Sequence, residues 1–400
     1  MVPESGVNPP GEQPPAQPQL GAQPYPPSYP QAYPPPGFEP YYPQPGAQPY
    51  PPGAQPYPQA YPPPYGPGEP TAAWGPGPAR FYTEPKPEPL PVEPQQYHQF
   101  YRAPAFRWWK PVIALLLFAA GWLIASLIAV VIALAWDVTN SGTQLDPANL
   151  NLNTPAMFAA NNVSLAACIP VAMLVSWLVY RQRPGFLSSI TGRFRWGLFG
   201  HFLLIVAPLM LAWMVIQTVV EGGLPALAWG PNSLFLLVTI LLTTPLQAAG
   251  EEYANRGLIA RSIGSWFGNR WVALVAAILV NGVIFTLLHA AAEPWLNAYY
   301  FTVAVTFTLL TWRTGGLEAA IVMHIVNNLL GELTLPFSPD EFAHLFDRQV
   351  GTAGPEILIQ ISVTLLVGAV LWWRAGRLKL QQAAAPGAAQ PYPVTAPVIP

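Results

Sequence analysis

The feature that most constrains this chain is a series of apolar segments, each about twenty residues long, that begins at Val112 and recurs almost to the C-terminus. A helix of about twenty residues rises roughly 30 Å, the thickness of the hydrocarbon core of a bilayer. Charged residues make up only 9% of the 400 residues, too few for the polar exterior of an ordinary water-soluble protein. The sequence therefore predicts an all-α fold, a polytopic membrane helix bundle embedded in a lipid bilayer.

Eight segments meet this description, and aromatic residues such as Trp136 and Trp312 at their ends suit the headgroup region. The bundle is therefore predicted to contain about eight transmembrane helices, at residues 112–136, 156–180, 198–220, 234–259, 272–292, 298–312, 317–335 and 357–373.

Basic residues alternate from one connection to the next. Arg107 and Lys110 precede the first segment, and no Lys or Arg lies between the first and second segments. Because basic residues favour cytoplasmic connections, this pattern predicts that both termini are cytoplasmic, provided that the number of spans is even. Only Arg348 breaks the alternation. The predicted location is the plasma membrane of a bacterium, as an integral multi-pass protein.

The distribution of proline residues separates the terminal regions of the chain from the membrane domain. Most of its 52 prolines precede Pro111, a density that excludes helix interiors and sheet ladders. The chain is therefore divided into a disordered Pro/Tyr-rich arm at 1–105, a membrane domain at 106–380 and a short disordered tail at 381–400. The Tyr-Pro repeats can bind a proline-recognising partner in polyproline II form, although a flexible tether is the simpler interpretation. The net charge of −2 argues against a nucleic-acid partner.

Three ionisable residues stand out within the apolar sequence: Glu251, Glu252 and Arg256. Each such group costs roughly 2.5 to 3.5 kcal/mol at the bilayer centre, so it is expected to be paired or functional. On a continuous helix Glu252 and Arg256 lie four residues apart and can form an ion pair, whereas Glu251 points about a hundred degrees away. The alternative is a hydrated helix end at the cytoplasmic face.

Further polar residues occur inside or at the edge of later spans: His289, and His324 with Asn328 four residues on. One histidine alone is commonly just bonded to a neighbouring carbonyl group. Together with the carboxylates, however, these residues can converge in a bundle and supply a base, an acid and donors for an oxyanion. This inventory suits peptide hydrolysis. A carboxylate and two imidazoles are also a plausible Zn²⁺ ligand set, so metal dependence stays open.

Three motifs in order resemble those of the CPBP family, membrane proteases named for CAAX-processing enzymes and bacteriocin-processing proteins. Residues 251–256 match EExxxR, residues 285–289 match FxxxH, and residues 324–328 match HxxxN. The resemblance covers about 80 residues of the C-terminal half, within 250–330. Each motif alone is weak, but the three in this order are specific.

The resemblance implies an intramembrane endopeptidase that cleaves a membrane-associated peptide or protein. In it Glu251 and His289 would activate water and His324 and Asn328 would form the oxyanion site, with Glu252 and Arg256 in support. A metal-free glutamate mechanism is the favoured interpretation, and no cofactor is assigned. Nothing in the chain indicates a prenylated substrate. The alternatives are a non-catalytic peptide-binding, scaffold or immunity protein on the same fold, and a transporter, although no matched pair of interrupted spans indicates inverted repeats.

The predicted spans leave one difficulty. If the fifth helix starts just after Arg270, simple counting places His289 near the outer face and Glu251 nearer the inner face. Either an interfacial segment at 261–271 or a deeper fourth helix would bring the two residues to one level.

Overall fold

The structure is a computed structural model that describes residues 86–141, 153–220, 222–223 and 227–388. Over these residues the only strands are β1 (Gln95–Gln96) and β2 (Ala383–Ala384), and the rest of the regular structure is helical. Short 3₁₀ helices occur at Tyr97–Gln99 and Leu335–Phe337, and a π-helix occurs at Tyr253–Ala260. The α-helices are α1 (Lys110–Ser141), α2 (Pro155–Ala166), α3 (Cys168–Tyr180), α4 (Gly185–Ser188), α5 (Trp196–Val220), α6 (Ser233–Glu252), α7 (Arg261–Gly264), α8 (Arg270–Leu288), α9 (Pro294–Thr314), α10 (Glu318–Glu332), α11 (Pro339–Ala343) and α12 (Ile357–Arg377).

The distribution of side chains is that of a membrane protein. Leu116, Leu127 and Leu204 project outward and are more than 60% exposed, whereas charged residues such as Glu252 and Arg256 are completely buried. An apolar exterior around a partly polar interior is stable in lipid but not in water. The prediction of an all-α, multi-pass membrane bundle is therefore confirmed.

Seven helical segments of the described chain are long and apolar enough to cross a membrane, as against the eight that were predicted. The predicted span at 298–312 falls on α9, which is 21 residues long but is not among the seven. Its less apolar composition has a physical reason, because α9 packs against α8, α10 and α12 and exposes little surface to lipid. Its inward face includes four buried threonines: Thr306, Thr308, Thr311 and Thr314.

The two short strands determine how many crossings the chain makes. Gln95 and Gln96, which precede α1, pair antiparallel with Ala384 and Ala383, which follow α12. The two ends of the membrane domain therefore lie on the same side, and the chain must cross an even number of times between them. With seven apolar segments already assigned, α9 supplies the eighth crossing.

The same pairing corrects the predicted ends of the domain. Residues 86–105 were assigned to the disordered arm, but Tyr97, Phe100 and Tyr101 are buried. Their rings surround the guanidinium group of Arg261 at 4.0, 5.3 and 5.3 Å, and Gln182 donates a hydrogen bond to the Phe100 carbonyl oxygen. The high proline content of this region led to the prediction of disorder, although its aromatic residues are packed against the membrane domain. Residues 381–388 of the predicted tail are likewise part of the described fold, whereas 1–85 and 389–400 lie outside the described residues.

The length of the fourth span reduces the predicted difference in membrane depth between Glu251 and His289. The helix continues from α6 through the π-helix into α7, giving a span of 32 residues, Ser233–Gly264, that ends five residues later than predicted. At about 1.5 Å per residue, Glu251 lies roughly 20 Å from Gly264, and His289 lies roughly 29 Å from the start of α8 at Arg270. The deeper helix reduces the offset in depth from about 14 Å to about 9 Å.

Candidate active site

The polar residues singled out in the sequence lie where α6, α8 and α10 meet. Glu251 and Glu252 end α6, and the π-helix begins at the next residue. Such π-helical turns are rare and frequently occur at functional sites. Gly250 allows the helices to approach closely, because a Cβ atom there would lie 1.9 Å from the Leu165 carbonyl oxygen. No larger residue fits at that position, so the backbone beside the two glutamates is tightly constrained.

Glu252 is the centre of a buried ion pair. Its Oε1 accepts hydrogen bonds from Arg256 Nη1 at 2.9 Å and from His324 Nδ1 at 2.7 Å, and neither Glu252 nor Arg256 is exposed. The predicted ion pair is therefore confirmed, and the alternative of a hydrated helix end is wrong because the helix continues for twelve residues beyond Glu252. Each buried charge is compensated by its partner.

Aromatic rings enclose the guanidinium group of Arg256. It lies 4.6 Å from the ring centre of Phe285 and 5.4 Å from that of Phe307, within the range of cation–π attraction. Phe285 is the first residue of the FxxxH motif, so its side chain has a structural role that sequence reasoning did not assign. The rings replace part of the hydration that a buried guanidinium group loses.

Glu251 lies on a different face of the helix and keeps 13% of its side-chain exposure, whereas Glu252 keeps none. Its Oε1 accepts a hydrogen bond from Gln247, and its Oε2 lies 3.9 Å from His324 Nε2. The second distance is too long for a hydrogen bond. Since Nδ1 of His324 is bonded to Glu252, its Nε2 is the nitrogen that faces Glu251. Glu251 is therefore the glutamate of this pair that a reactant can reach.

Asn328 is joined to the same cluster through Gln247. The Asn328 amide donates to Gln247 Oε1 at 3.0 Å, and Asn328 Oδ1 accepts from Asn327 at 3.2 Å. These contacts define which end of each amide is the donor. One Nδ2 hydrogen of Asn328 is bonded to Gln247, which leaves the second for another acceptor.

His289 stands directly after the last residue of α8 and is linked to the cluster through Phe285. Its Nδ1 donates to the Phe285 carbonyl oxygen at 2.8 Å, and its ring lies 4.5 Å from the Phe285 ring, which in turn lies 6.3 Å from the His324 ring. The bond to a neighbouring carbonyl group uses Nδ1 and leaves Nε2 as an acceptor in the neutral ring. Burial lowers the pKa of His289, while the negative charge of Glu251 acts in the opposite direction.

The structure thus brings five of the six predicted site residues together in two hydrogen-bonded groups, one formed by Glu252 with Arg256 and His324 and the other by Glu251 with Asn328 through Gln247. The sixth, His289, lies beside them. Sequence reasoning missed two residues of this arrangement. Gln247 connects Glu251 to Asn328, and the signal was its spacing of four residues from Glu251 on α6. Tyr300 stacks on the His289 ring at 4.0 Å, and no motif marked it.

No Zn²⁺ ligand group is assembled among the described residues of this site. Over the part of the chain that the structure describes, no three His, Cys, Asp or Glu residues form a group that could hold a metal ion. The Nδ1 bonds of His324 to Glu252 and of His289 to a backbone carbonyl group leave both Nε2 atoms available, as in histidines that bind zinc. A zinc site needs at least three protein ligands directed at one point.

Comparisons with known proteins agree with this location. The family model for type II CAAX prenyl endopeptidase Rce1-like proteins matches residues 232–330, a range that contains all three motifs. The chain is also similar to an uncharacterized protein of Bacillus subtilis (strain 168), YyaK, with 24% identity over 228 residues that cover 52% of this chain and 73% of YyaK. No solved structure matches the chain significantly.

The matched range runs from the start of α6 almost to the end of α10, and it therefore contains Glu251, Glu252, Arg256, His289, His324 and Asn328 together. The resemblance predicted from three short motifs is confirmed by this match: this part of the membrane domain is similar to type II CAAX prenyl endopeptidase Rce1-like proteins.

Proposed function

We propose that this protein is an intramembrane endopeptidase that hydrolyses a peptide bond of a membrane-associated protein or peptide. The observation that carries the proposal is the pairing of two glutamates with different surroundings. Glu252 is sealed in an ion pair with Arg256, whereas Glu251 keeps an accessible carboxylate 3.9 Å from His324 Nε2. Two neighbouring carboxylates held in different environments commonly have different roles in hydrolysis.

In the proposed reaction, Glu251 is the general base. Its carboxylate takes a proton from a water molecule, and the resulting hydroxide attacks the carbonyl carbon of the scissile peptide. His289 Nε2 accepts a hydrogen bond from the O–H that this water retains and so orients it, since Nδ1 is already bonded to the Phe285 carbonyl oxygen. When the C–N bond breaks, protonated Glu251 returns its proton to the leaving amine.

The developing oxyanion is assigned to His324 and Asn328. In this proposal His324 donates from Nε2, while its Nδ1 is held by the Glu252 carboxylate. Asn328 contributes its second Nδ2 hydrogen. Donors fixed in a site that excludes bulk water stabilise such charge strongly, and loss of one donor typically lowers kcat by about 10²- to 10³-fold. Glu252 and Arg256 hold His324 in place and touch no reacting atom.

The test is cleavage of a panel of membrane-anchored peptides by the purified full chain. We expect Glu251→Gln to abolish cleavage and His289→Ala to reduce it by about 10²- to 10⁴-fold, the usual contribution of general acid–base catalysis. The matched control is Glu341→Gln, which makes the same change at an exposed residue of α11, within the loop at 338–356 that joins the Leu335–Phe337 turn to α12. A metal chelator is expected to leave cleavage unchanged.

Equal residual cleavage by the wild type, Glu251→Gln and His289→Ala would contradict the proposal and assign the activity to a contaminant. Saturable peptide binding without cleavage would favour the second candidate, a non-catalytic peptide-binding or scaffold protein of the same fold. Inhibition by chelator would instead contradict the metal-free mechanism.

The distribution of basic residues supports an orientation with both termini in the cytoplasm of a bacterium and the protein in its plasma membrane. In this orientation the loop at 338–356, between the Leu335–Phe337 turn and α12, faces the outside.

A further inference from the structure

Arg348 is the one basic residue that breaks the alternation of charge along the sequence, and it lies in the loop at 338–356. A basic residue on the side opposite to the other basic connections works against the charge bias that orients a membrane protein. Its contacts indicate a structural role, because its side chain and its backbone both form hydrogen bonds with the turn that contains His289.

The side chain of Arg348 contacts both His289 and the aromatic ring that stacks on it. Its Nη1 donates a hydrogen bond to the His289 carbonyl oxygen, and its guanidinium group lies 5.7 Å from the ring centre of Tyr300. The Tyr300 ring in turn stacks on the His289 imidazole, with centres 4.0 Å apart and planes inclined by 27°. One arginine therefore contacts both the backbone of His289 and the aromatic ring that covers its imidazole.

The backbone of the same loop fastens the turn between α8 and α9. The Arg348 carbonyl oxygen accepts hydrogen bonds from Ala292 N at 2.9 Å and Glu293 N at 3.2 Å, and Gly351 N donates to Glu293 Oε2 at 2.6 Å. Within this turn Ala290 has a φ of 51°, a left-handed conformation that is uncommon for a residue with a side chain. Such a conformation persists only where the surrounding contacts hold it.

The imidazole needs this support because His289 follows the end of α8, where no further helical turn restrains it. The Nδ1 bond to Phe285 fixes one edge of the ring, and Tyr300 covers one face. Without Arg348, both the backbone at His289 and the ring of Tyr300 lose a contact. A displacement of about 1 Å at a catalytic group can cost about 10²-fold in rate.

We propose that Arg348 is a positioning residue that clamps the imidazole of His289 in its catalytic orientation from the loop at 338–356. The proposal rests on the proposed function, in which His289 orients the attacking water. Arg348 itself touches no reacting atom. Arg348 lies on the predicted outer side because α8 ends there, and a residue that contacts His289 must come from the loop on that side.

The experiment compares Arg348→Gln and Arg348→Lys with the wild type, using the purified full chain. Arg348→Gln is expected to lower kcat by about 10- to 100-fold and to change KM less than twofold, because substrate contacts are untouched. Arg348→Lys is expected to recover part of the loss, since an ammonium group keeps the charge but not the planar guanidinium group that lies over the Tyr300 ring. Asp347→Asn, at an exposed neighbour whose side chain accepts a hydrogen bond from the Gln349 backbone N–H, is the matched control.

A second readout does not depend on activity. The ring protons of His289 lie over the Tyr300 ring, so their NMR shifts report the stack directly, and His289→Gln identifies them among the five histidines. Arg348→Gln is expected to move these shifts, and Asp347→Asn is not.

Two results would contradict the proposed role of Arg348. The first is an unchanged kcat per folded molecule in Arg348→Gln. The second is an Arg348→Gln protein that loses folded fraction while its His289 shifts stay where they are in the wild type. If the wild type cleaves no peptide while the His289 shifts move as expected, the proposed function fails and the clamp stands. The two failures are thereby distinguished.

Discussion

The buried ion pair between Glu252 and Arg256 allows a quantitative prediction about stability. We expect Glu252→Gln and Arg256→Met each to cost more free energy of unfolding than the variant that combines them. Both side chains are completely buried, and their contact of 2.9 Å is the principal compensation for each charge. Removing one partner leaves an uncompensated buried charge, for which the cost is about 3 to 5 kcal/mol.

The surroundings indicate which single substitution costs more. In Arg256→Met, Glu252 keeps the hydrogen bond from His324 Nδ1, so its cost is expected near the lower limit. In Glu252→Gln, the guanidinium group loses the carboxylate in contact with it and keeps the two aromatic rings, a long bond to a backbone carbonyl oxygen and the more distant charge of Glu251, so its cost is expected near the upper limit. Replacing both charges removes the uncompensated group, and pairs replaced in this way often cost little.

The assay is reversible unfolding of the purified protein in mixed micelles, with the four proteins compared as a double-mutant cycle. The combined variant is expected to be destabilised by no more than either single variant, which, for single costs of about 3 and 5 kcal/mol, corresponds to a coupling free energy of at least about 5 kcal/mol. Costs that add within about 0.5 kcal/mol would refute the reasoning, because they would show that neither charge depends on the other.

Two further predictions concern residues outside the three motifs. Gln247→Leu should lower kcat by about 10-fold or more without changing the folded fraction, because Glu251 and Asn328 lose the amide that joins them; unchanged kcat in the peptide assay would contradict this. His98 gives a pH dependence, since burial lowers its pKa to about 4 in the folded protein from the ordinary value of about 6.5. The neutral form is favoured by folding, so stability is complete above about pH 6.5 and is lost as the pH falls towards 4, by about 2 kcal/mol at pH 5. Unfolding measured at pH 7.5 and pH 5 should show a smaller difference in His98→Gln than in the wild type, and an equal difference would contradict the assignment.

Much of the site could be predicted from local spacing. The four-residue interval between Glu252 and Arg256 predicted their ion pair, because a helix places such residues on one face whatever surrounds it. The same periodicity separated Glu251 from that pair, and the structure indeed leaves it partly exposed. The π-helix that follows could not be predicted, since nothing local in the sequence distinguishes it from an α-helix.

The long-range contacts had no local signal. Arg348 is 59 residues from His289, and only the meeting of the loop at 338–356 with the turn after α8 brings them together. Tyr300 belongs to no motif, and its stacking on His289 depends on how α9 lies against α8.

The sequence by itself determined that this chain forms a membrane bundle and which polar residues lie within it, because apolar length and residue spacing act through local geometry and through transfer to lipid. Only the tertiary structure decided that α9 is an interior crossing, that residues 86–105 are packed against Arg261, and that Gln247, Tyr300 and Arg348 contact the candidate site residues. Those outcomes depend on contacts between helices far apart in the chain, and the free energy of such contacts comes from packing that no single segment specifies.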